Sequence, residues 1–276
     1  MCWGSFMKNK FMLCEVADIN LINLLTIKDY IIETKEDGER MRVEALNGQI
    51  KMLNRRGVES SKKFPELVEA FKGLPDCVLD GEIVFFADIK AHKSKFSEIL
   101  KRINQSQELK IKLLANLKPC TFCAFDLLYL NGEGYPNKPI EVRKQALETV
   151  VKGIERIVLP IQFEDLETGW RFVKKNELEG LILKRKESTY YFGRNADWLK
   201  LKDIKKIIMP IVHFEEKAGF TVIGTNGIRV GCGNRRIQKD IKQLLKAGRK
   251  PSMEVAFLER TEENRLRMPT FVRLIK

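Results

Sequence analysis

The stretch YIIETKEDGERMRVEALNGQIKMLNRRG, Tyr30 to Gly57, holds the pattern on which the rest of the chain turns. Its second half is two strand-like runs joined by Asn47-Gly48. That is the strongest short hairpin signal, because both residues accept the positive φ of a tight type I′ turn. The first half opens with another strand, YIIET, and between strand and hairpin Lys35 sits in a loop among Glu33, Glu36, Asp37 and Glu39. Nearby carboxylates favour the charged ammonium. An attacking lysine needs the reverse: from an ordinary pKa near 10.4, deprotonation at pH 7 costs about 4.6 kcal/mol.

Working outward, strands are expected at CVLDGEIVFF, CTFCAFDLLYL, IERIVLP, GLILKR and WLKLK. Helices are expected over Phe64 to Phe71, Phe96 to Arg102, Leu109 to Leu117, Val142 to Val151 and Glu167 to Lys175. Strands and helices mix without strict βαβ alternation, so the fold class is α+β with antiparallel sheets and flanking helices. From about residue 207 the runs become short (IIMPIVHF, FTVIG, IRVG, MEVAFLE, FVRLIK), with turn glycines and one helix near Ile237 to Ala247. Five short strands and one helix suit a small β-barrel of the OB type, a frequent nucleic-acid binder. The expected domains are therefore residues 1–206 and 207–276, joined by a hinge near 203–209 rather than a long tether.

The chain has 276 residues, enough to bury a sizeable core. No apolar run approaches the length of a membrane span, and MCWGSFMKNKFMLC, broken by Lys8 and Lys10, is not expected to be a leader; Met7 is an alternative start. Six cysteines without a disulfide-like framework suit a reducing, cytoplasmic setting. CTFC has zinc-type spacing, but it lies in a strand, where residues three apart face opposite ways, and no second such pair exists; zinc is not expected. The net charge is +13, and residues 210–276 supply +7 of it. A polyanionic partner is expected from that balance.

Lys35-Glu36-Asp37-Gly38-Glu39-Arg40 fits K-x-D-G-x-R. Downstream follow LNRRG (53–57), LDGEIVF (79–85), FCAFDLLYLNG (122–132), EGLILK (179–184), WLKLK (198–202) and LRMPTFVRL (266–274). In order and spacing these segments resemble the motif series of ATP-dependent DNA ligases of the small bacterial and phage type, from FMLCE to FVRLIK. The resemblance implies an adenylation (nucleotidyltransferase) domain followed by an OB domain, acting as a monomer on nicked double-stranded DNA, with ATP as donor and Mg2+ (or Mn2+) as metal. Only 34 residues precede Lys35, which is taken to leave no room for the nicotinamide-binding module of the NAD-dependent branch.

By the same resemblance Lys35 is the catalytic nucleophile, attacking the α-phosphorus of ATP. Glu33 is expected to accept from the adenine amino group, Phe125 to stack on the adenine, and Arg40 and Arg55 to meet the ribose and the DNA 5′-phosphate, with Arg56 sharing the task. Glu82 is expected at the ribose or a metal, Glu179 as a metal ligand, and Lys184 at the α-phosphate. Lys200 and Lys202 share one strand face and are expected, with Mg2+ and burial, to push the pKa of Lys35 down. Asp37 is read as structural or catalytic, Asp80 as structural, and Glu36 and Glu39 as solvated. Arg267, and Arg273 beside it, match positions that orient the pyrophosphate leaving group.

An mRNA-capping guanylyltransferase and an RNA ligase share the lysine chemistry. FDLLYLNG and RMPTFVR speak against the first, the OB-type C-terminus against the second. A catalytically silent binder of nucleic-acid ends is a third alternative, but it would be expected to lack at least one of Lys35, Glu179, Lys200 or Lys202, all of which are present.

Overall fold

The computed structural model describes residues 11–276 other than 24, 218 and 262, so the N-terminal stretch up to Lys10 lies outside the described residues. The chain divides into two compact units, Met1–Leu201 and Lys202–Lys276.

The first unit runs β1 (Leu13–Ala17), α1 (Ile19–Asn23), β2 (Tyr30–Thr34), β3 (Glu39–Leu46), β4 (Gln49–Asn54), α2 (Pro65–Phe71), β5 (Cys77–Val84), β6 (Phe86–Asp88) and β7 (Lys93–Ser94). It continues through α3 (Phe96–Ile103), α4 (Glu108–Leu117), β8 (Thr121–Leu130), β9 (Glu133–Gly134), α5 (Ile140–Val151), β10 (Ile157–Val158), β11 (Gln162–Phe163), α6 (Leu166–Asn176), β12 (Gly180–Arg185) and β13 (Arg194–Lys202). One sheet has the order β1-β13-β12-β2-β11, and a second has β10-β8-β5-β3-β4 with β9 on β8. The Asn47-Gly48 hairpin forms in the expected register, Leu46 opposite Gln49, with φ of 51° and 72° at the two turn residues. The expected strand at IERIVLP shortens to Ile157–Val158, because Arg156 takes a left-handed turn conformation just before it.

The second sheet packs Met41, Val43, Leu79 and Phe122 against Leu67 and Phe71 of α2, Ile99 of α3 and Leu147 of α5. The first sheet covers Ile32, Leu181 and Leu199 with Val173 of α6. Asp165 caps α6 by accepting from the Thr168 N–H at 2.7 Å. A third cluster, Met12, Val78, Leu128, Tyr190 and Trp198, takes residues from strands of both sheets. Residues 35–38 connect β2 of one sheet to β3 of the other, so chain connectivity alone sets Lys35 on the crossing between sheets. No helix among the described residues is long and apolar enough to cross a membrane.

The second unit comprises β14 (Lys205–Glu215), β15 (Thr221–Gly224), β16 (Arg229–Gly231), α7 (Arg235–Lys246), β17 (Ser252–Phe257) and β18 (Thr270–Ile275). Its sheet order is β16-β15-β14-β17-β18, all pairs antiparallel. The long β14 serves both halves: Lys205–Pro210 pairs with β17, and residues from Ile211 on pair with β15 across a register shift. That bend curls the sheet until β16 and β18 lie against each other. A helix between the third and fourth strands completes the OB-type arrangement around Met209, Val222, Ile241, Met253 and Val255.

Candidate active site

In the first unit a cavity of about 220 Å³ is lined by Glu33, Lys35, Arg40, Arg55, Glu82, Phe125, Lys184 and Lys200, together with Trp198 and Arg194. Eight of the sequence-predicted site residues thus share one concavity. The two sheets build it: β2 ends at the Lys35 loop, β3 and β5 set Arg40 opposite Glu82, and β12 and β13 bring Lys184 and Lys200.

The Lys35 backbone N–H donates to the Gly180 carbonyl at 2.9 Å, which ties the loop to the start of β12. Its Nζ lies 2.5 Å from Oε2 of Glu179 and 3.3 Å from the Glu36 carbonyl. Burial lowers the lysine pKa, but Glu179, Glu82 and Asp37 outweigh it and hold the ammonium above its ordinary value. The largest charge effects on Lys35 from the protein's own groups are those of these carboxylates. The glycine of the motif has a steric reason, since a Cβ at Gly38 would stand 2.0 Å from the Ile83 carbonyl oxygen.

Glu82 is raised to about 8, chiefly by burial, against Lys35 and Arg40 and with the help of Glu179 and Asp37. Glu179 touches the Lys35 ammonium, Glu82 and Asp37 act on its charge, and carboxylate oxygens of this kind suit a hard divalent cation. Arg40 is gripped by Asp80 through two bonds of 3.0 and 2.6 Å, and the same carboxylate accepts from the Tyr190 hydroxyl at 2.5 Å. The guanidinium also lies 5.1 Å from the centroid of the Phe125 ring, so Asp80 aims it into the cavity wall. Arg55 and Arg56 are exposed in the turn after β4.

Glu33 is buried between two lysines, Lys144 of α5 on one oxygen and Lys184 at 2.7 Å on the other. Burial raises its pKa, yet the two ammonium groups bring the net below the ordinary carboxylate range. Lys184 is pushed down by burial, and its Nζ donates to the Phe125 carbonyl at 3.1 Å while lying 4.4 Å from the Trp198 ring centroid. Phe125 meets Trp198 edge-on, with centroids 6.1 Å apart.

Glu36, expected to be solvated, is instead buried, with Thr34 Oγ1 donating to its Oε1 at 2.6 Å. Glu39 is partly buried and accepts from Asn54 at 3.3 Å. Lys202, the last residue of β13, is also the first residue of the second unit, in which Arg267 pairs with Glu259 at 3.0 Å and Arg273 with Glu254 at 2.9 Å.

Sequence reasoning missed Lys144, Tyr190 and the wall formed by Trp198. Lys144 had a signal: on α5 the buried positions Ile140, Leu147 and Val151 form one helical face, and Arg143 and Lys144 interrupt it. Charges on a core-facing stripe need partners, here Asp126 for Arg143 and Glu33 for Lys144.

Residues 11–202 match the family model for the ATP dependent DNA ligase domain. The chain is 35% identical to DNA ligase 4 of Kluyveromyces lactis over 196 residues, which is 63% of this chain and 21% of that protein. It is 31% identical to the bifunctional non-homologous end joining protein LigD of Bacillus subtilis over 218 residues, 71% of this chain and 35% of that one. The chain thus spans about a third or less of the length of these curated relatives. The ligase domain of LigD from M. tuberculosis shares the fold, with a TM-score of 0.61 at 24% identity over 97% of this chain and 94% of that one. The chain belongs to the family of ATP-dependent DNA ligase domains.

Proposed function

We propose that this chain is an ATP-dependent DNA ligase that seals nicks in duplex DNA through a lysyl-AMP intermediate. The observation that carries the reading is Lys35 at the crossing between the two sheets, beside Glu179 and Glu82 and open to a cavity walled by Phe125 and Trp198. In the first step the neutral Lys35 amine attacks the α-phosphorus of ATP. An N–P bond forms, the bond to pyrophosphate breaks, and the amine proton leaves to solvent. The adenylyl group then passes to a DNA 5′-phosphate, and the 3′-hydroxyl displaces AMP as the phosphodiester forms.

Each residue acts according to its surroundings. Glu33 presents a carboxylate kept ionised by Lys144 and Lys184, available as an acceptor at the adenine edge. Phe125 offers a ring face, and Arg40, fixed by Asp80, contacts the nucleotide sugar without rearranging. Lys184 and Lys200 receive phosphate charge, and Arg55 meets the DNA 5′-phosphate. Glu82 and Glu179 would hold a divalent cation, which supplies neutralisation of phosphate charge when bound. Neutralising those carboxylates also removes what holds the Lys35 ammonium in place. The second unit serves as the OB domain, with Arg267 and Arg273 orienting the leaving pyrophosphate, Lys202 acts with Lys200 toward Lys35 and the nucleotide, and the protein works as a monomer.

The test is incubation of wild type and Lys35→Ala with α-labelled ATP and Mg2+, without DNA, followed by denaturing electrophoresis. Label retained by wild type alone is expected. Wild type that stays unlabelled with ATP, and with GTP, after removal of any prebound adenylate overturns the reading.

A further inference from the structure

We propose that Glu36, His92 and Cys123 form a second metal site, selective for zinc(II) and similar thiophilic divalent cations, and separate from the carboxylates that face Lys35. One donor atom from each of the three side chains lies within 4.8 Å of the other two, and all three residues are buried. They come from separate parts of the first unit: the loop after β2, the turn between β6 and β7, and β8.

Two further observations point to a ligand. The Glu36 carboxylate is satisfied on one side only: Oε1 accepts from Thr34 and faces His92 Nδ1 at 2.8 Å, whereas Oε2 is buried without a hydrogen-bond partner. A buried carboxylate oxygen left unpaired costs on the order of 1–3 kcal/mol, and native folds rarely leave one so. His92 is the second. Residues 87–90 and Lys93 of its turn are exposed, yet the His92 ring turns inward to 8% exposure on a backbone with φ of 52°. A histidine–glutamate ion pair accounts for Oε1 and Nδ1 but leaves Oε2 unanswered.

The donor chemistry selects the metal. Magnesium takes oxygen ligands, whereas a thiolate, an imidazole and a carboxylate suit zinc. Zinc bonds of about 2.0 to 2.3 Å set tetrahedral donors about 3.3 to 3.8 Å apart, within side-chain adjustment of the spacing present. On binding, the Cys123 thiol gives its proton to solvent and His92 coordinates as neutral imidazole. Zinc(II), thiolate and carboxylate then sum to zero charge, which a buried site tolerates. Glu36 also lines the cavity, which leaves the fourth position to water. Because the Glu36 carbonyl accepts from Lys35 Nζ, such an ion would fasten the nucleophile loop to β8.

The test uses the full chain, stripped with chelator and titrated with Co2+ alone, then with Zn2+ alone. One equivalent of Co2+ is expected to give a thiolate charge-transfer band and tetrahedral visible bands that Zn2+ displaces, with a raised thermal midpoint. Cys123→Ser should abolish the band, His92→Gln should weaken binding roughly tenfold or more, and Cys120→Ser should leave it intact. Absence of a thiolate band at one equivalent, or its survival in Cys123→Ser, overturns the proposal. Should Cys123→Ser fail to fold, X-ray absorption of zinc-loaded wild type decides: one sulfur beside nitrogen and oxygen is expected, and oxygen and nitrogen alone overturn it.

Discussion

Glu179 holds its Oε2 2.5 Å from the Nζ of Lys35, and this pair restrains the nucleophile in its charged form. Replacing the carboxylate separates two effects that a simple loss of activity would merge. In Glu179→Gln the Lys35 amine should titrate at lower pH than in wild type, read from the pH dependence of its modification by a small acylating reagent. Adenylation by ATP should fall about 100-fold in the same variant, because a carboxylate that would hold the charge-neutralising divalent cation is gone. An unchanged titration would mean that Glu179 does not set the lysine's protonation.

Glu82 has the opposite linkage to an ordinary paired acid. A carboxyl raised from 4.5 to about 8 in the fold contributes stability that is fully present below about pH 4.5 and is lost as pH rises through about 8. Glu82→Gln should therefore gain stability relative to wild type between pH 5 and pH 8, by on the order of 2 kcal/mol. Thermal midpoints of both proteins at the two pH values check this. A difference that does not change with pH would show Glu82 to be ionised throughout.

The close approach at Gly38 predicts a steep cost for the smallest side chain. A methyl 2.0 Å from the Ile83 carbonyl must push β3 from β5 or displace the Lys35 loop. Gly38→Ala should lose about 2–4 kcal/mol in urea unfolding, with adenylation reduced further than the stability loss explains. Wild-type stability and labelling in this variant would contradict the geometry.

Lys144 should matter although it is hidden beneath the cavity. Lys144→Met removes one of the two ammonium groups on buried Glu33 and should cost about 3 kcal/mol. The midpoint of urea denaturation checks the first effect. A rise in KM for ATP, from a carboxylate less firmly held, checks the second.

The charge distribution predicts salt-sensitive DNA binding. Residues 210–276 carry +7, so the affinity for a nicked duplex should fall by about 10-fold or more between 50 and 200 mM salt. Fluorescence anisotropy over that range provides the measurement. A flat response would remove the phosphate backbone as the main contact.

Local rules made much of this fold legible before any coordinates. The Asn47-Gly48 turn, the helix over Pro65–Phe71 and the α5 stripe follow from φ preferences and apolar spacing within a dozen residues of chain, and they form where those rules put them. The order of the motif segments was likewise readable, and eight of the residues they single out do line one cavity. What the sequence could not decide were the pairings between charges far apart in the chain. Lys35 and Glu179 are 144 residues apart, and Lys144 and Glu33 are 111 apart; no local pattern couples them. The net direction of the Lys35 titration depends on distances to Glu179, Glu82 and Asp37 that only the packing of two sheets supplies, because charge interactions scale with separation and burial rather than with position along the chain. The polar sequence around Glu36 predicts a solvated side chain, yet tertiary packing buries it beside His92 and Cys123. Residue types and their local order determined the elements and the chemical parts; the tertiary structure alone decided which charges meet.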